Sequence, residues 1–181
     1  EVESLNTLWN NLPDYVNDLN GIVVADTSGS MYGRPMSVTV SLAMYIAERN
    51  KNKAFKDYFI SFSQLPKFHK ITGNNLSERC DSVQLGDIAN TNIQAVFEMM
   101  LNRAKEYKVS VEDMPKFILI ISDMEFDRAS KNNSLSNFEN IRKQYQNADY
   151  PMPTLVFWNV NSRNNHTPVT INDRGVVLVS G

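Results

Sequence analysis

Residues 21–31 read GIVVADTSGSM. Five small or apolar residues, Gly21 to Ala25, run straight into Asp26, and Ser28 and Ser30 follow at every second position. A near-continuous apolar run of this length reads as a strand buried on both faces, as in a parallel sheet covered by helices. It ends on a carboxylate. Such a group is costly in a buried place unless it is hydrogen-bonded, paired or metal-bound. Fold and chemistry are both read outward from this strand end.

Five further runs share the strand signature: 57–63 (DYFISFS), 67–71 (KFHKI), 117–122 (FILIIS), 154–160 (TLVFWNV) and 175–179 (GVVLV). The run at 21–26 and those at 117–122, 154–160 and 175–179 are nearly all apolar and predict central strands. The pair 57–63 and 67–71 is separated by a few residues containing Pro66, which is hairpin spacing and predicts one antiparallel edge strand. Helical patterns alternate with the runs. Pro35 can open a helix that continues to about Asn50. Ile93, Val96, Phe97, Met100, Leu101 and Ala104 recur at spacings of three and four, the cleanest amphipathic pattern of the chain. Residues 135–148 predict a more polar helix and 4–16 another before the first strand, while 72–90 reads as a loop with a short strand near Val83. The expected fold is α/β: an open, mostly parallel six-stranded sheet with one antiparallel edge and helices on both faces. In such sheets sites form outside the carboxyl ends of the strands, where Asp26 and Asp123 each close an apolar run.

Composition narrows the function. The chain has 181 residues, 42% hydrophobic and 21% charged, enough for one domain with a sizeable core. A net charge of -2 gives no electrostatic reason to expect autonomous nucleic-acid binding. Cys80 is the only cysteine, so a disulfide within the chain and a zinc cluster of cysteines are both excluded; a structural thiol is the expected role. His69 and His166 stand near no serine or cysteine motif. Met99, Met100 and Met124 read as packing residues. No run is long enough to span a bilayer and no signal peptide is visible, so a cytoplasmic protein without membrane contact is expected. The start at Glu1 suggests an excised piece, with residues 1–19 as a helical lead-in to a domain over 20–181.

Three segments offer oxygen ligands at strand ends or helix starts: Asp26, Ser28 and Ser30; Thr91, before the cleanest helix; and Asp123, in ILIISDMEFD. No lysine or arginine adjoins either aspartate, which suggests a shared cation. An all-oxygen set suits Mg²⁺, Ca²⁺ or Mn²⁺ and not zinc.

On these residues the chain resembles the von Willebrand factor A-like domains. Asp26-Thr27-Ser28-Gly29-Ser30-Met31 matches their DxSxS motif, and Thr91 and Asp123 stand where their metal-ion-dependent adhesion site draws a threonine and an aspartate from two later loops. The resemblance covers about 20–181. Within that family DTSGSM, TNIQAVF and SDMEFD are most similar to the A domain that ends Ro-type (TROVE) RNA-binding proteins, and to its uncharacterised relatives in phages, bacteria and plants; there a separate helical region binds RNA. The resemblance implies one divalent cation, Mg²⁺ ahead of Mn²⁺ or Ca²⁺. Ser28 and Ser30 would ligate directly, and Thr91, Asp26 and Asp123 directly or through water. Neutral hydroxyls close to the ion leave it able to take a carboxylate from a protein partner at roughly 2.0–2.1 Å for Mg²⁺. It implies a binding module, not an enzyme, that would meet RNA only through other domains.

Some positions depart from the family. Tyr32, Gly33 and Arg34 follow the motif where integrin β-type domains carry acids for a second cation, so one metal is expected. Met124 and Glu125 replace the usual glycine after the third-loop aspartate, and Glu125 and Asp127 are placed on the rim, not among the ligands. The family's last helix has no counterpart after the sixth run within residues 1–181, which suggests truncation or a covering element supplied elsewhere and would expose some apolar sheet surface.

Other readings fare worse. Asp26 and Ser28 could simply cap the following turn, and Thr91 alone reads as a helix N-cap. An EF-hand loop from Asp26 would need Gly and Glu where Met31 and Ser37 stand. A DxD phosphatase would need an acid at Ser28, and no Gly-Lys-Ser/Thr phosphate loop occurs. A metal-dependent hydrolase ranks last, because no positioned base or nucleophile is recognisable.

Overall fold

In a computed structural model the protein is described over residues 2–17, 20–84, 92–123, 134–160 and 176–180. Helix α1 (Val2–Asn10) precedes strand β1 (Gly21–Ala25), which leads through a single 3-10 turn (Gly29–Met31) into α2 (Arg34–Arg49). Strands β2 (Tyr58–Ser61) and β3 (Phe68–Lys70) form the hairpin. Then come α3 (Leu76–Val83), α4 (Ile93–Glu106), β4 (Phe117–Ser122), α5 (Ser134–Asn147), β5 (Thr154–Asn159) and β6 (Val176–Ser180).

One sheet holds the strands in the order β3-β2-β1-β4-β5-β6. Five run parallel, and β3 is antiparallel at one edge. Among the described residues, the crossovers from β1 to β2, from β3 to β4 and from β4 to β5 pass through helix, as parallel pairing favours. The all-apolar strands are explained by burial on both faces. Ile22, Val24, Ile118 and Ile120 point to one side, where Phe97, Met100 and Leu101 of α4 and Ile141 and Tyr145 of α5 cover them. Val23, Ala25, Leu119 and Ile121 point to the other, under Val40, Ala43, Met44 and Ala47 of α2 and Val83 of α3. Toward the β6 edge the cover thins: Val177 and Val179 are 47% and 40% exposed.

Two local features fix the register of the central pair. Gly21 lies opposite Phe117, and a Cβ there would stand 2.2 Å from the Phe117 ring. Only glycine lets that ring lie across β1. At the other end Ala25 pairs with Ile121, and the Asp26 amide donates to the Ile121 carbonyl at 3.1 Å.

Residues 76–83 were expected as loop with a short strand and are instead helix α3. Its start is capped from both sides: the Asn75 side chain accepts from the Glu78 amide at 3.0 Å, and Glu78 Oε2 accepts from the amide of the preceding Asn74 at 2.7 Å. Leu76, Cys80 and Val83 give it an inward stripe against α2. Cys80 is half-buried with its Sγ 3.6 Å from Met44 Sδ. The N-terminal helix ends at Asn10, short of the expected 16, with Pro13 just beyond. It is docked through Trp9, whose Nε1 donates to Glu48 Oε2 at 2.9 Å, and through Asn6 Oδ1, which accepts from the Leu76 amide at 2.8 Å. Arg79 of α3 reaches the same Glu48 carboxylate at 2.5 Å. Among the described residues no helix is long and apolar enough to cross a membrane.

Candidate metal centre

β1 delivers Asp26 to the carboxyl rim of the sheet, where it is 1% exposed. Its two oxygens have different partners. Oδ1 accepts from the Ser28 amide at 3.0 Å, an Asx turn that bends the chain back over the strand end. Oδ2 accepts from the Ser122 hydroxyl of β4 at 2.5 Å. Ser122 is fully buried. Charge-assisted bonds of this kind are the strong ones, and they hold the carboxylate in one orientation.

The two motif serines do something else. Ser28 is the N-cap residue of the 3-10 turn, yet its side chain makes no cap hydrogen bond. Its Oγ lies 3.0 Å from Ser30 Oγ, and Ser30 Oγ donates to Asp123 Oδ1 at 3.1 Å. A hydroxyl has one proton to give. Ser30 gives its proton to Asp123, so Ser28 is the donor between the two serines. The result is a relay, Ser28 to Ser30 to Asp123, that ties the β1 loop to the end of β4. Ser28 is nearly buried, Asp123 is half-buried and Ser30 is exposed, so the cluster opens to solvent on the Ser30–Asp123 side.

The structure thus brings Asp26, Ser28, Ser30 and Asp123 together. Thr91 lies outside the described residues, as do Met124, Glu125 and Asp127. The next residue, Asn92, is described: its amide donates to the Ser63 carbonyl at 3.2 Å, one residue beyond Phe62, whose amide donates to Ala25 O at 3.2 Å. The start of α4 is therefore held beside the end of β1. The cap of that helix is Asn92, whose Oδ1 accepts from the Ala95 amide at 3.1 Å. The competing reading of Thr91 as the cap of this helix therefore does not hold, since Asn92 takes that place.

The donor set fits a hard cation. It offers two carboxylates and hydroxyls not taken up by capping, and no nitrogen or sulfur. Among the described residues no group of three or more His, Cys, Asp or Glu is assembled, so an ion here would depend on the serines. No ion pair joins Asp26 or Asp123 to a lysine or arginine among the described residues. Sequence reasoning missed Ser122. Its neighbour Asp123 was read from the motif, but the role of Ser122 follows from the β1–β4 register, which one strand alone does not reveal.

Comparison with known proteins agrees with this architecture. The chain is 32% identical over 164 residues to "Uncharacterized protein L728" of Acanthamoeba polyphaga mimivirus, spanning 90% of this chain but 28% of that protein. It is similar in fold to the crystal structure of the Ro (RSR) protein of Deinococcus radiodurans, with a TM-score of 0.60 at 12% identity over 98% of this chain and 34% of that one. The chain thus spans about a third or less of the length of either relative. The family described as "Domain of unknown function (DUF7788)" matches residues 20–181, which begin just before β1 and take in every element of the sheet. The chain belongs to that family, the DUF7788 domains.

Proposed function

We propose that this domain is a non-catalytic binding module of the von Willebrand A type that grips an acidic group on a protein partner through one divalent cation. Asp26, Ser28, Ser30 and Asp123, with Thr91 from the neighbouring loop, would hold the ion, Mg²⁺ ahead of Mn²⁺ or Ca²⁺. The observation that carries the reading is the use of the two serines. Ser28 makes no cap hydrogen bond, and the two hydroxyls run in series to Asp123. A merely capped turn would aim Ser28 at the backbone. When bound, the ion supplies an electrophilic centre for an incoming carboxylate. The chain's own part is to fix Asp26 through Ser122 and to keep the hydroxyls in place. The module is read as binding without turnover.

Isothermal titration of the metal-stripped domain with Mg²⁺ and Mn²⁺ tests it. Saturable binding at one site, lost in Asp26→Ala, is expected. Absence of binding by the folded domain, or unchanged binding in that variant, would sink it. A second reading rests on the fold likeness to the Ro protein: an accessory domain of a larger Ro-like protein, touching RNA only through other parts of the chain. Tight, salt-dependent RNA binding by residues 20–181 alone would contradict the preference for a protein partner.

A further inference from the structure

Tyr32 and Leu65 are the two most exposed large apolar side chains among the described residues, at 91% and 78%. Single exposed apolar residues are ordinary on a surface. These two are set apart by where they sit and how they are held. Tyr32 follows the DxSxS turn directly: its amide donates to Gly29 O at 3.2 Å, Met31 before it is fully buried, and Gly33 after it has φ 89°. Leu65 lies on the β2–β3 turn, beside buried Pro66. That turn is closed by the Ser61 amide donating to Lys67 O at 3.0 Å and the Lys67 amide donating to Ser61 Oγ at 3.1 Å. Both loops leave the end of β1, one continuing from Asp26 and the other joined to it through the Phe62 amide on Ala25 O. Each apolar side chain is thus held out into water by anchored neighbours on the rim of the same cluster.

Each is also two residues from a basic one. Arg34 and Lys67 are exposed, and neither joins an ion pair among the described residues. An apolar and a basic group therefore stand together at each of two places at the end of β1, Tyr32 with Arg34 where α2 begins and Leu65 with Lys67 on the β2–β3 turn. A backbone already anchored on either side of an exposed apolar residue has less freedom to lose on binding, which favours that residue's use as an anchor. Unpaired basic groups beside it favour an acidic ligand.

We infer that Tyr32 and Leu65, with Arg34 and Lys67, form the specificity rim of the site, and that the partner is a protein segment whose metal-binding aspartate or glutamate is flanked by aliphatic or aromatic residues and a second acid. This rests on the cation-dependent reading above. The test uses fluorescein-labelled synthetic peptides with one central aspartate, its neighbours either leucine or serine and either glutamate or glutamine. Binding is followed by fluorescence polarisation in Mg²⁺, and Mg²⁺ binding is measured separately by calorimetry. Peptides with leucine and glutamate are expected to bind about tenfold more tightly than those with serine and glutamine, the size of effect one good apolar anchor supplies. Tyr32→Ser and Leu65→Ser should each reduce the preference for leucine over serine while leaving Mg²⁺ affinity and folding unchanged. Arg34→Gln and Lys67→Gln should weaken only the glutamate-bearing peptides. If Mg²⁺ binds but the peptides bind without regard to their flanks, do not bind, or bind both serine variants like the wild type, the inference is overturned and the cation reading stands. If Mg²⁺ does not bind, the cation reading itself falls and the inference with it.

Discussion

Ser122→Ala should destabilise the domain by more than its size suggests. The change removes one oxygen from a fully buried position and leaves almost no cavity. What it takes away is the donor to Asp26 Oδ2 at 2.5 Å. Asp26 is 1% exposed, so water cannot readily take the vacated place. A hydrogen bond to a charged group contributes about 1.5–3 kcal/mol. For a domain of this size that corresponds to a fall in Tm of about 3–12 °C, at about 2–4 °C per kcal/mol. Thermal unfolding by circular dichroism in a chelating buffer reads it. A double-mutant cycle identifies the cause, because Asp26→Asn removes the charge that makes the bond strong. In that background Ser122→Ala should lose most of its effect. A shift below about 1 °C for the single variant, well under the range just given, or an equal loss in both backgrounds, would refute the claim that Ser122 acts through Asp26.

Gly21→Ala sets a Cβ 2.2 Å from the Phe117 ring, so the ring or the strand must move; a loss of about 1–3 kcal/mol in urea unfolding is expected, and Phe117→Leu in the same chain should restore part of it. Burial raises the Tyr145 hydroxyl well above its ordinary range, while it donates to Phe97 O at 2.9 Å. Above about pH 10 the unfolded chain gives up this proton and the folded chain keeps it, so stability falls as pH rises through that window. Tyr145→Phe should flatten the fall, as read from urea midpoints between pH 9 and 11. Glu48 joins Trp9 of α1 and Arg79 of α3 to α2; Glu48→Ala should speed amide exchange in α1 and α3 at least about tenfold while β1 and β4 stay protected.

How much of this was legible in the sequence differs element by element. β1, β4 and β5 announced themselves because strands covered on both faces tolerate few polar residues. The hairpin was legible from the short link with Pro66, and α4 from six apolar residues at helical spacing. Helix α3 was hidden because three inward residues over eight make a weak stripe. Its real signal was local, the Asn75…Glu78 pair that closes the first turn. The capping of α4 by Asn92 was also a matter of one hydrogen bond, decided between two adjacent residues that can both cap. Asp26, Ser28, Ser30 and Asp123 could be picked out because a carboxylate at the end of an apolar run is conspicuous. Ser122 could not, since a serine ending a strand is unremarkable until the neighbouring strand is known.

The pairing of Ala25 with Ile121 has a consequence for how this domain can change length. Side chains alternate faces along β4, so one residue inserted directly after Phe117 would shift every later side chain by a single step. Ser122 would leave Asp26, and Asp123 would move away from the serine relay. The same insertion would turn Ile120 and Ile121 toward the wrong helices. Core and cluster are gauged by one ruler, and an insertion that spoils one spoils the other. Lineages of this family should accordingly vary in the length of their connections while keeping β1 and β4 at fixed length, a pattern that a set of related sequences can be searched for directly.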